Sequence, residues 1–159
     1  MDDPATALKL GRFTAGGVEL TLGMSYAEVF KRVPGFPEGR RTCWELDDGG
    51  TGEAFAWTGD FLDLKGVPTD WTFHRGQLHE VHVEDLEDVG YDNDAARRRV
   101  ETLIAAWTAR LGPPAKTFGL EGHMERSSTW RFPGLEFLAF FETRTPCVGY
   151  CVRSVNVSI

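Results

Sequence analysis

The chain has 159 residues and a formal charge of -7, with 42% apolar, 12% aromatic and 26% charged residues. Those values describe one globular domain, 1–159, able to close a core, and they exclude a disordered or fibrous chain. Phosphate backbones need a basic stripe, and the basic run Arg97-Arg98-Arg99 sits among acids on a predicted helix, so nucleic acid is excluded as a partner class.

Residues Met1 to Leu10 show no basic segment leading into an apolar run, and no stretch approaches the ~18 apolar residues of a membrane span. Cys43, Cys147 and Cys151 make an odd count, which points to reduced thiols in a cytoplasmic protein. On one extended strand Cys147 and Cys151 would stand about 13 Å apart, too far to pair. Five Trp and eleven Phe favour a sheet-rich fold.

Leu8 to Phe13 and Val18 to Leu22 read as an opening hairpin across Ala15-Gly16-Gly17. Ser25-Tyr26-Ala27-Glu28 is a capping box, with Met24 and Val29 placed as a hydrophobic staple. Val29, Phe30 and Val33 share a face of the short helix that follows, which Pro34-Gly35 ends. From Arg41 to Glu84 the pattern is strand after strand: Thr42 to Leu46, then Ala54 to Thr58 meeting Phe61 to Lys65 across Gly59-Asp60. Asp70 to His74 then meets Gln77 to Val83 across Arg75-Gly76. Such short connections require antiparallel neighbours.

Glu84 to Asp94 carries six acids and no base. Ala96, Val100, Leu103, Ile104, Trp107 and Leu111 then form one helical stripe, capped by Asp92, Asn93 or Asp94 and stopped by Gly112-Pro113-Pro114. A second strand series follows: Ala115 to Leu120, Ser127 to Phe132, Leu135 to Glu142 and Val148 to Ile159. In the last one, the apolar parity changes between Val152 and Val155, which predicts a bulge or turn near Arg153-Ser154. The expected fold is therefore α+β, antiparallel, with a short helix in the N-terminal half and one long central helix.

Both halves, 17–84 and 92–159, follow one plan of a helix, a Gly/Pro stop and about four strands, which suggests two tandem α-β4 repeats. Trp71-Thr-Phe73 and Trp130-Arg-Phe132 echo each other across them. Leu22-Gly23-Met24-Ser25-Tyr26-Ala27-Glu28-Val29, the second Gly-Pro stop and the Trp-x-Phe hairpins resemble the repeats of the β-lactamase-inhibitor-protein and SmpA-like family. That resemblance implies helices set against antiparallel sheets and a role in protein binding. The chain departs from the family in lacking a visible export signal and disulfide pattern. In size, charge and fold class it is also similar to small acidic bacterial immunity proteins.

No enzymatic motif stands out. His74, His79, His82, Glu80 and Glu84 are the densest potential metal ligands, but spaced ~7 Å along one strand they cannot converge alone. The acids of 84–94 do not fit a calcium loop, and Asp48-Gly-Gly-Thr-Gly52 lacks the Lys-Ser/Thr of a phosphate loop. No Ser stands in Gly-x-Ser-x-Gly, and neither Cys43 with His123 nor the pair Asp60 and Asp63 has a context for catalysis. The sequence thus fits a non-catalytic domain that binds another protein, such as a cytoplasmic inhibitor or immunity protein for a basic partner. Neither cofactor nor metal nor membrane enters that reading. The expected contacts are Trp57 and Trp71 on an open aromatic face, with Glu84, Asp85, Glu87 and Asp88. The alternatives are a small-ligand protein or enzyme with His79, His82 and Glu84 at a pocket mouth, or an oligomeric scaffold.

Overall fold

The computed structural model describes residues 2–83, 92–119, 125–142 and 147–155. Within them the chain is α+β, three helices packed on one antiparallel sheet. Helix α1 (Pro4–Lys9) is followed by the hairpin β1 (Phe13–Ala15) and β2 (Val18–Leu20), then α2 (Tyr26–Arg32). A meander follows: β3 (Thr42–Glu45), β4 (Thr51–Phe61), β5 (Leu64–His74) and β6 (Gln77–Val83). Helix α3 (Asn93–Leu111) leads to β7 (Lys116–Phe118), β8 (Arg126–Phe132), β9 (Leu135–Glu142) and β10 (Cys147–Arg153).

The sheet order is β2-β1-β4-β5-β6-β10-β9-β8-β7, with β3 also paired to β4. The meanders β3–β6 and β7–β10 mirror each other about the antiparallel pair β6·β10, each following one helix, and α1 with the β1–β2 hairpin extends the β3–β6 side alone. Trp57 on β4 and Trp130 on β8, the second strands of their meanders, each donate the indole N–H to a carbonyl just after the preceding helix. Their acceptors are Pro34 O at 3.0 Å and Gly112 O at 2.9 Å. Trp71 lies on a third strand, so its echo with Trp130 in the sequence does not mark equivalent places.

Ser25 caps α2 as its box requires, accepting from the Glu28 amide at 3.2 Å. Met24 and Val29 are buried beside it, but Phe30 is 40% exposed, so the buried face of α2 is narrower than its periodicity suggests. All six stripe residues of α3 are buried, and Asp92 accepts from the Ala95 amide at 3.0 Å. Trp107 meets Phe137 at 4.8 Å and Tyr150 at 5.8 Å between ring centroids, which docks α3 on β9 and β10. On the same sheet face, Phe36 meets Trp71 at 5.1 Å and Tyr26 stacks on Phe55 at 4.8 Å. Trp71, Val81, Val152, Phe137 and Trp130 form one register row across five strands, so both helical layers cover one side.

Two local expectations change. Leu8 belongs to α1, where Asp3 caps the helix through the Ala5 and Thr6 amides and Pro4 supplies the fixed φ of a first turn. Gly59-Asp60 is a register irregularity inside β4, and the reversal falls at Leu62 (φ 54°) and Asp63. The Arg75-Gly76 turn stands as read, with φ of 55° and 76° as a tight hairpin of the primed type requires. Strand β10 stops at Arg153, where the parity changes, and the Ser154 amide donates to His79 O at 2.9 Å.

Candidate functional site: the open face of the sheet

Side chains alternate across a strand, so packing the odd residues of β4, β5 and β9 under helices turns their even residues to the other face. Among the described residues no helix packs on that second face. Register sets its side chains in rows. One row runs Asp70, His82, Cys151, Leu138, Thr129 and Lys116 from β5 to β7. The next holds Thr72, Glu80, Arg153, Glu136 and Arg131, and a third holds Gly149, Phe140, Ser127 and Phe118.

The second row alternates in charge. Glu136, only 9% exposed, accepts from Arg131 Nε at 3.0 Å and Arg153 Nε at 2.9 Å, so one carboxylate is held between two guanidiniums. Glu80 is shared: its Oε1 accepts from the Cys151 thiol at 3.2 Å, and its Oε2 lies 3.8 Å from His82 Nδ1. His82 Nε2 lies 3.7 Å from Asp70 Oδ2, and Asp70 also receives Arg41 at 2.8 Å. Beside this network an open trough of about 340 Å³ runs over Leu138, Phe140, Ser127 and Cys151, bordered by Phe118, Glu125 and Glu142. The Phe140 ring lies over Gly149, where a Cβ would fall 2.6 Å from Phe140 Cζ.

The chemistry open to this face is limited. A nucleophilic cysteine needs its thiolate held by positive surroundings. Burial first, then the Glu80 carboxylate, pushes the Cys151 thiol well above its ordinary value of 9.0. Cys151 beside His82 therefore stays a protonated hydrogen-bond donor. Among the described residues no three His, Cys, Asp or Glu side chains converge as metal ligands. What the face offers is an apolar strip bordered by fixed charges.

Two of the sequence-derived contacts, Trp57 and Trp71, fall elsewhere. Trp57 is 6% exposed and Trp71 fully buried, so both belong to the core and neither forms an open aromatic face. Their polar atoms are satisfied inside it: Trp57 donates to Pro34 O, while Trp71 donates at 2.8 Å to Thr69 Oγ1, which donates at 2.8 Å to Trp57 O. Their parity with Phe55, Phe61 and Phe73 was the available signal. The exposed tryptophan is Trp44, at 37%. Glu84, Asp85, Glu87 and Asp88 lie outside the described residues, as does His123. The supposed pocket mouth of His79, His82 and Glu84 divides. His79 stacks on His74 at 4.0 Å, while His82 joins Asp70 and Glu80; Glu84 is outside the described residues. The bulge between Thr72 and Phe73 in the β5·β6 register shifts the alternation of β6, so that Leu78 is buried with Val81 and His79 lies against His74 and not against His82.

Leu138, Phe140, Glu136, Cys151 and Arg153 were not among the expected site residues. The apolar run Leu135 to Phe141 reads as a central strand, apolar on both faces and covered by helix on one side, and the sheet partners show which residues stand beside it on the face that no described helix covers. No family model, no curated protein and no solved structure matches this chain. No helix of the described residues is long and apolar enough to cross a membrane.

Proposed function

We propose that this chain is a non-catalytic protein-binding domain, an inhibitor or immunity-type protein for a basic partner in the cytoplasm, with the open sheet face as its contact surface. The observation that carries this reading is one-sided coverage. Three helices seal one face of the sheet, while the other presents Leu138, Phe140 and Phe118 beside the Glu80, Glu125 and Glu142 carboxylates. Arg126 and Arg153 on the same lining are held by Glu101 and Glu136, so the apolar strip and its bordering carboxylates suit the aliphatic stems and charged heads of Lys and Arg. The net charge of -7 favours the same partner through steering. The mirrored pair of helix-plus-meander units supports the resemblance to tandem-repeat inhibitor proteins.

The test is affinity capture with the tagged chain, bound species being identified by mass spectrometry and then titrated. Leu138→Asp and Phe140→Ala are expected to weaken a captured partner roughly tenfold or more, and raised salt to weaken it further. Phe30→Ser, on the helical side, is the control expected to change nothing. A partner indifferent to both open-face variants would remove this surface from the reading.

A further inference from the structure

Beside the trough, the open face carries a second hollow of about 200 Å³ with the opposite charge. Lys116, Arg131 and Arg153 border it, and Phe118 and Leu138 form its apolar side. Ser127 and Thr129 add two hydroxyls, and no Asp or Glu among the described residues lines it, in a chain whose formal charge is -7. Register explains the gathering. Lys116 stands opposite Thr129, and Phe118 opposite Ser127, while Arg131 follows Thr129 by two residues on the same face of β8. Such spacings are ~5 Å between strands and ~7 Å along one, inside the reach of both cationic stems. Arg153 comes from β10, opposite Glu136, which in turn stands opposite Arg131. Three cations thus meet one carboxylate. Arg153 holds Glu136 Oε2 through Nε and a terminal nitrogen, both at 2.9 Å, whereas Arg131 hydrogen-bonds Oε1 through Nε alone, at 3.0 Å. The Arg131 terminal nitrogens and the Lys116 ammonium make no hydrogen bond to a described residue. Thr129 is only 5% exposed, yet its hydroxyl also has no hydrogen-bond partner among the described residues. A buried hydroxyl beside uncompensated positive charge is costly until an acceptor meets it.

We propose that this hollow is an oxyanion subsite for a small anionic amphiphile. A phosphate or carboxylate head seats between Lys116 and Arg131 and accepts from the Thr129 hydroxyl, and an apolar tail runs along Leu138 toward Phe140. Charge selects the head, because guanidinium and ammonium groups bind oxyanions through charge-assisted hydrogen bonds. The apolar side selects the tail. The hollow and the 340 Å³ trough share Phe118, Ser127 and Leu138, so the two run into one another. Glu125 and Glu142 at the trough repel an anion, which fixes the direction of the ligand: head at the basic end, tail over the apolar floor. Lys116, Thr129 and Arg131 lie outside the protein-contact strip proposed above, so this inference does not depend on that contact.

Titration of the full chain with octyl phosphate, octanoate and inorganic phosphate tests it, read by calorimetry and by amide chemical shifts. Both amphiphiles are expected to bind and to shift the Lys116, Thr129 and Arg131 amides. Octyl phosphate is expected to bind roughly tenfold or more tighter than inorganic phosphate, because only it has a tail to bury. Whichever of octyl phosphate and octanoate binds more tightly identifies the head. Octyltrimethylammonium, with the same tail and the opposite charge, is expected to leave those amides unmoved. Lys116→Gln should weaken the anions roughly threefold and Thr129→Val roughly tenfold. Lys116 is exposed and has no ion-pair partner among the described residues, so the circular dichroism and melting temperature of Lys116→Gln stay those of the wild type. No binding of either anionic amphiphile at millimolar concentration, equal binding of the cationic one, or affinities unchanged in both variants would overturn the proposal.

Discussion

Gly149 and Gly52 both sit beneath an aromatic ring on the open face, yet replacing them by alanine is expected to have different consequences. At Gly149 a Cβ would press into the Val83 carbonyl oxygen, well inside contact distance, and also meet the Phe140 ring 2.6 Å away. Val83 is backbone of β6, paired with Tyr150 where the two halves of the sheet join, and it cannot swing aside. Overpacking of this kind costs about 1–3 kcal/mol, offset by about 0.4–1 kcal/mol from the lower entropy of the unfolded alanine chain. The expected net loss for Gly149→Ala is about 1–2 kcal/mol, or roughly 2–8 °C in melting temperature for a chain of this size. At Gly52 the obstruction is only the Trp44 indole, 2.6 Å away at Cζ2 and 37% exposed, which is free to rotate into solvent. Gly52→Ala is expected to fall within about 0.5 kcal/mol of the wild type. Urea unfolding of both variants measures the contrast. Equal losses at the two positions, or none at Gly149, would refute the argument that β6·β10 is a tightly closed backbone seam.

The remaining predictions concern titration and exposure. Under native conditions at neutral pH, iodoacetamide is expected to label Cys43 first, since it is exposed while Cys147 and Cys151 are buried. Mass spectrometry showing Cys151 modified as fast as Cys43 would contradict the protonated, covered thiol described above. Burial holds His74 and His79 below the ordinary imidazole value of 6.5, and for His79 the neighbouring His74 adds to the effect. Their lowered folded-state values mean that the unfolded chain takes up these protons first. Stability from this pair is therefore full above pH 6.5 and is lost as pH falls below it, despite the opposing pull of Glu80. Melting curves between about pH 7.5 and pH 5 should show a drop that His79→Gln reduces; an identical pH profile in the variant would exclude the pair as its source. Iodide is expected to quench mainly Trp44, the other four tryptophans being at most 6% exposed, so Trp44→Phe should remove most of the quenchable fluorescence. Strong quenching that survives the substitution would place another indole at the surface.

Local chemistry was legible from the sequence wherever the controlling contacts lie within a few residues. The Ser25–Glu28 cap, the six-residue stripe of α3, the Arg75-Gly76 turn and the end of β10 near Arg153 each depend on neighbours along the chain. Asp3-Pro4 carries a helix-start signal of the same local kind, which the reading of Leu8 to Phe13 as a strand did not take into account. The alternation of Trp57 and Trp71 with small or polar residues also defined which side chains share a face, but alternation alone does not say which face is covered. That was decided by the docking of α2 and α3, and it sent both tryptophans inward. The candidate site is less local still. Glu80, Glu136, Cys151 and Arg153 meet because β6 pairs with β10 and β10 with β9. Strand register is a pairwise property of distant segments: each sequence fixes its own period, and only the partner strand fixes what stands beside it.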